Sequence, residues 1–200
     1  MTRAIPAIAA VLLIFATVLP AEAQPSDPAA GSVQNFYDAL IASMKAGGTA
    51  KSRYEKLKPA VEQDFDLAGM TALSVGPTWA SIAAADQKSL VDAFERMTIA
   101  NYARNFDSFH GEKFLVDPEV QTRGPDKLVK STMNPGSSDA VAFNYRLHQA
   151  GNNWKIVDVY LAGNISQLAQ KRADFATTLS SSGPAGLAKK IDALADQQLN

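Results

Sequence analysis

The chain has 200 residues, 46% of them hydrophobic and 20% charged, enough apolar material for one ordinary domain with a substantial core. Its formal net charge of −1, without any run of Lys or Arg, excludes the electrostatic footprint of a nucleic-acid binder or of a protein that adheres to anionic membrane surfaces. Cysteine is absent, so neither disulfides nor a lipid-modified cysteine is expected.

Arg3, the apolar run from Ala7 to Leu19 and the small-residue site Ala21-Glu22-Ala23 have the layout of a signal peptide, residues 1–23. Cleavage near Ala23 predicts a mature chain outside the cytoplasm. The run is shorter than the roughly 20 residues of a spanning helix, and nothing later approaches that length, so no stable membrane insertion is expected. Residues 24–31 contain Pro25 and Pro28 among small side chains and read as a flexible lead-in to a single domain over 32–200.

From Ser32 to Lys45, Val33, Phe36, Tyr37, Leu40, Ile41 and Met44 recur at helical spacing, and Gly47-Gly48 ends the pattern. A second helix is predicted from Thr49 to Leu57, with Tyr54 and Leu57 inward and Pro59 opening a further turn towards Phe65. Asp66 caps a short helix through Leu73, which Gly76-Pro77 stops. The longest helix runs from Asp86 to about Phe109. Its apolar arc of Leu90, Val91, Phe94, Met97, Tyr102, Phe106 and Phe109 is wide enough to meet two elements, or one element and an open apolar space.

After Gly111 the period changes to two. Candidate strands are Lys113 to Thr122, where Pro118 implies an edge or a bulge, then Lys127 to Met133 and Ala140 to His148. The turn Gly151-Asn152-Asn153 leads back into WKIVDVYL from Trp154, in which Trp154, Ile156, Asp158 and Tyr160 alternate with Val157, Val159 and Leu161. Gly163 breaks that strand, Asn164 is a candidate helix cap, and Ile165, Leu168, Arg172, Phe175 and Leu179 share one helical stripe. Gly183-Pro184 separates a last helix with Leu187, Ile191 and Leu194 on its buried side. Helices before and after four antiparallel strands make an α+β domain.

The supply of chemistry is small. His110 and His148 have no Cys, Asp or Glu at metal-ligand spacing and read as surface or capping residues, so no metal is expected. No nucleophile elbow, P-loop or Rossmann glycine pattern is present. Asp158 and Arg172, charges within apolar patterns, are expected to pair with each other or with backbone groups, because an isolated buried charge is too costly. The functional alternatives are an Arg172 contact to a lipid headgroup and an Asp158 general base.

The stretch DVYLAGNISQLAQKRADF, with RYEKLKPAVEQDFDLAGM, VGPTWASI and IANYARNFDSFHGEKF before it, resembles the periplasmic MlaC-type lipid-transport family, and most of all its hopanoid-associated branch, HpnM. The resemblance implies a nuclear-transport-factor-2-like curved sheet of about four strands with helices over an apolar cavity. It assigns Phe94, Met97, Tyr102, Phe106, Phe143, Tyr145, Val157, Val159, Ile165 and Leu168 to the cavity wall. It further implies a soluble periplasmic shuttle with no cofactor and no catalytic role, its ligand a hopanoid or a phospholipid. Its partners would be an inner-membrane lipid transporter and an outer-membrane acceptor. The competing class is a secreted isomerase or hydrolase of the same fold with Asp158 as base.

Overall fold

The computed structural model describes residues 27–136 and 139–200. The predicted signal peptide and residues 24–26 lie outside that range. Helix α1 (Pro28–Ala46) begins before Ser32, correcting the flexible lead-in. The Asp27 carboxylate accepts from the Ala29 N–H at 2.8 Å and pairs with Lys127 at 2.7 Å, while Pro28 sits in the first turn, where its missing N–H costs nothing. The Val33, Phe36, Tyr37, Leu40 and Met44 face is buried, as the spacing requires.

Helix α2 (Ala50–Asp64), capped by Thr49, continues through Pro59 where the sequence suggests two pieces. Pro59 lies on the exposed side, so the carbonyl it leaves unpaired can meet water. Arg53, buried in this helix, donates through Nε to the Ala103 carbonyl at 2.8 Å and ties α2 to the long helix. Asp66 caps α3 (Leu67–Val75) by accepting from Gly69, and a 3₁₀ turn (Pro77–Ser81) leads to α4 (Ala84–Asn105), which ends before the predicted Phe109.

Seven strand segments follow: β1 (Lys113–Val116), β2 (Gln121–Arg123), β3 (Asp126–Val129), β4 (Ser131–Asn134), β5 (Val141–Ala150), β6 (Asn153–Leu161) and β7 (Ile165–Ser166). β1 and β2 are the halves of one predicted strand, parted around Pro118, and β3 and β4 the halves of the next, parted at Lys130. β5 is the spine. It pairs antiparallel with β4 near its start, with β3 further along, and with β6 on its other side. Expecting four strands was therefore sound in path, with two of them broken and a short β7 added.

The β5–β6 register shifts between Arg146 and Leu147, leaving Val157 as the extra residue of a bulge. The bulge reverses the alternation of β6. Ile156, opposite Leu147, and Val159, opposite Tyr145, both enter the main core, so Ile156 shares a face with Val159 and Leu161 and not with Asp158 and Tyr160 as simple alternation predicts.

Helix α5 (Gln167–Leu199) also starts later than the sequence pattern predicts. Ala162 (φ 51) and Gly163 (φ 81) form a tight left-handed turn that folds β7 back on β6, with Leu161 opposite Ile165. The helix therefore starts after Ser166, whose hydroxyl accepts from Ala169 N–H at 3.0 Å, and Asn164 is not its cap. Gly183 is non-helical (φ 65, ψ −175) and divides α5 into two arms. Lys190 Nζ reaches the Thr178 hydroxyl at 2.9 Å, though the two residues would stand about 18 Å apart along a straight helix, so the arms fold back on each other.

The core between α1, the α2–α3 junction, α4 and the sheet is an aromatic cluster. Phe36 meets Phe65 and Tyr102 edge-on at centroid distances of 4.9 and 4.8 Å, and Tyr37 meets Phe114 and Tyr145 at 4.7 and 5.7 Å. The Ser131 hydroxyl donates to the Phe143 carbonyl, so at 2.6 Å Tyr37 must be the donor to Ser131 Oγ. Burial pushes the Tyr37 phenol up to about 12 and keeps it a donor.

Asp64, at the C-terminus of α2, is buried with Oδ2 unpartnered. Burial raises its carboxyl from the ordinary 3.8 to about 6, against smaller opposing effects of Gln63 and Lys155. The folded chain thus holds this proton more tightly than the unfolded chain does. Stability from this group falls as pH rises from about 4 to about 6, and the full penalty is present above that window. We expect Asp64→Asn to be more stable than wild type by on the order of 2 kcal/mol at pH 7.5, with the advantage vanishing near pH 4. Urea unfolding at the two pH values measures this; a pH-independent difference would show that Asp64 is not the titrating group.

Candidate functional site

Between α4, both arms of α5 and the sheet lies a cavity of about 350 Å³. Phe94, Met97, Tyr102 and Phe106 of α4 form one wall, and Phe143, Val159 and Leu161 of the sheet another. Met70 of α3, Leu168 of the first α5 arm and Leu194 of the second close the space. Thr98, Asn101, Asn105, Gln167, Lys171 and Gln198 complete the lining. The wide arc of α4 is thereby explained: part of it packs on Phe36, Phe65 and Phe175, and part faces an open apolar space. A groove of about 560 Å³ at the α5 kink, beside Pro77, Ile82, Leu179 and Pro184, lacks any floor from the sheet.

Three predicted wall residues lie elsewhere. Tyr145 is buried against Tyr37 in the aromatic core, Val157 is enclosed in the β6 bulge, and Ile165 is 44% exposed on β7. The resemblance assigned these three to the wall, and the bulge and the extra strand alter the faces on which that assignment depends. Met70, Leu161 and Leu194 were missed as wall residues, although Leu161 and Leu194 belong to recognised apolar patterns. The polar members of the lining carried no signal in the sequence, because a polar residue beside a cavity resembles one beside water.

Asp158 does not line the cavity. Its buried carboxylate accepts from the Ser166 hydroxyl at 2.6 Å, from Leu168 N–H at 3.3 Å and from Val159 N–H at 2.8 Å, so both oxygens are engaged at the start of α5. A carboxylate there satisfies N–H groups that the first helical turn cannot pair itself, and it lies at the positive end of the helix dipole. With both oxygens holding backbone and hydroxyl donors and the residue absent from the cavity lining, the geometry does not favour Asp158 as a general base.

Arg172 is likewise occupied. Its Nε donates to the Leu73 carbonyl at 2.8 Å and Nη2 donates to the same oxygen, closing the last turn of α3. Asp158 and Arg172 therefore satisfy backbone and hydroxyl groups and not each other. No Asp, Glu or His lines the cavity, and no cluster able to hold a metal occurs among the described residues. Burial raises the Tyr102 phenol, with the neighbouring Tyr37 adding to the effect, so that part of the wall is uncharged at neutral pH. His148 brings Nε2 to 3.0 Å from Asp66 Oδ2, and exposed His110 contacts Ser108; both are remote from the lining.

The profile of the MlaC protein family matches residues 34–193, a span that includes α2 to β7 entire and most of α1 and α5. The chain belongs to the MlaC family. Among solved structures, this MlaC protein is similar to a phospholipid-binding protein from Ralstonia solanacearum determined in complex with a phospholipid. The TM-score is 0.75 at 21% identity, covering 87% of this chain and 100% of the other, so the likeness establishes a shared fold. No curated protein matches the chain. No helix among the described residues is long and apolar enough to cross a membrane.

Two substitutions separate the roles on β6. Val159→Trp should fill the cavity and abolish uptake of an environment-sensitive apolar dye while leaving the fold intact, whereas Val157→Trp should overpack the bulge and cost about 1–3 kcal/mol. Dye fluorescence with thermal unfolding reads both; the reverse pattern would show that Val157 faces the cavity. Asp158→Ala should cost about 2–3 kcal/mol, lowering Tm by roughly 5–10 °C, because it leaves the Leu168 N–H without its acceptor.

Proposed function

We propose that this protein is a soluble periplasmic lipid carrier, shuttling a hopanoid or a glycerophospholipid between an inner-membrane transporter and an outer-membrane acceptor. The observation that carries the reading is the apolar cavity enclosed by α4, α5 and the sheet. Its volume of about 350 Å³ falls near the lower end of the roughly 300–1,000 Å³ typical of ligand sites. Hydrocarbon needs little else. At about 0.8 kcal/mol per buried methylene, a chain of roughly sixteen carbons gains about 13 kcal/mol before the costs of association, without any polar contact.

Membership of the MlaC family supports the periplasmic location and the carrier role, and the phospholipid in the Ralstonia structure supports a glycerophospholipid cargo. The hopanoid alternative rests on the HpnM-like words RYEKLKPAVEQDFDL and GNISQLAQKRADF, which lie on α2 and its junction with α3 and on β7 with the start of α5. A fused-ring lipid demands one broad slot, whereas flexible acyl chains can follow a narrow one.

The mature protein, purified without detergent from a hopanoid-producing host, is expected to carry one lipid visible as added mass in native mass spectrometry. Extraction then identifies it. Protein that is always empty, although the host makes both lipid classes, would sink the carrier reading.

A further inference from the structure

The cavity lining changes character along each helix that forms it. On α4 it passes from Phe94 and Met97 to Asn101 and Asn105, positions separated by three or four residues and therefore on one stripe. In α5, Leu168 is flanked by Gln167 and Lys171, and Leu194 lies one turn before Gln198. Each segment thus contributes an apolar side chain together with a polar one that is exposed or half-buried. An amphiphile with its tail among Phe94, Met97 and Leu168 would leave its head beside these polar groups.

Among the described residues, Lys171 is the only charged one in the lining. Lys58, Lys88 and Lys127 each lie within salt-bridge distance of a carboxylate, but Lys171 has no such partner among the described residues. Its neighbour Arg172, one residue and about 100° further round the helix, is bound to α3 at Leu73. Of these two adjacent cations, Lys171 borders the apolar space and Arg172 is tied to the protein.

We propose, resting on the carrier reading, that Lys171 is the headgroup contact of the site and that it binds the phosphate of a glycerophospholipid. A half-buried ammonium suits this task. The apolar wall beside it lowers the local dielectric and strengthens attraction to an anion, while its remaining exposure avoids the penalty of a fully buried charge. Gln198 and Gln167 line the same space, Gln167 with one amide N–H already given to the Ile165 carbonyl at 3.2 Å, so each keeps a neutral donor for a phosphate oxygen. A hopanoid with an uncharged head offers this ammonium no counter-charge.

The test uses the delipidated mature protein with three probes: phosphatidylglycerol, diacylglycerol with the same acyl chains, and a neutral hopanoid polyol. Bound lipid is counted by native mass spectrometry under direct competition. Wild type should retain phosphatidylglycerol over diacylglycerol by about fivefold, the scale of one partly exposed ion pair. Lys171→Gln should remove that preference while leaving diacylglycerol retention unchanged, and Lys171→Arg should restore most of it. If Lys171→Gln weakens both lipids equally, or neither, the headgroup assignment is overturned, as it is if the hopanoid outcompetes phosphatidylglycerol. Inorganic phosphate at millimolar concentration should not displace the phospholipid; displacement would make this a free-phosphate site. Wild type that retains none of the lipids would overturn the carrier reading itself, an outcome distinct from the loss of selectivity alone.

Discussion

The carboxylate of Asp158 joins three elements, since it projects from β6, accepts from the hydroxyl of Ser166 on β7 and accepts from Leu168 N–H in the first turn of α5. The position of the last helix depends on that junction. Were α5 to begin elsewhere, Leu168 and Lys171 would not face the cavity, and Arg172 would not reach the open carbonyl of Leu73. The cost of burying a charge is offset by donors that themselves need an acceptor, so carboxylate and helix terminus solve each other's problem.

A cavity persists beside a dense core because the two are held by different elements. The aromatic cluster of Phe36, Tyr37, Phe65, Phe114 and Tyr145 locks α1 and the α2–α3 junction onto the sheet. The α5 arms instead lean on α4, through Phe175 against Phe94 and through Arg96 to Asp192 and Asp196. The open space falls between these two systems, where side chains from α4, α5 and the sheet meet without filling it. Exposed ion pairs such as those of Arg96 contribute little each, so the second arm is held chiefly by its buried Leu187, Ile191 and Ala195.

Much of the fold was legible because it is written in local periods. The helical stripes of α1 and α4, the Asp66 cap, the strand breaks at Pro118 and Gly163 and the division at Gly183 all follow from neighbours within a few residues. The errors also have local causes. Pro28 was read as a sign of flexibility, although behind Asp27 it opens a helix, and Pro59 was read as a boundary, although its solvent-facing side lets α2 run on.

The sequence alone determined the α+β class, the order of elements and the apolar character of the residues that surround the cavity, since backbone periodicity and turn chemistry are properties of short segments. Tertiary structure decided which apolar residues are wall and which are core. Phe94 and Tyr145 are the same kind of residue, and only the placement of α5 leaves space beside one and none beside the other. It also decided sidedness. One bulge residue, Val157, reverses the faces of β6, and one helical step hands the cavity to Lys171 instead of Arg172, because a shift of a single residue is a half-turn on a strand and about 100° on a helix.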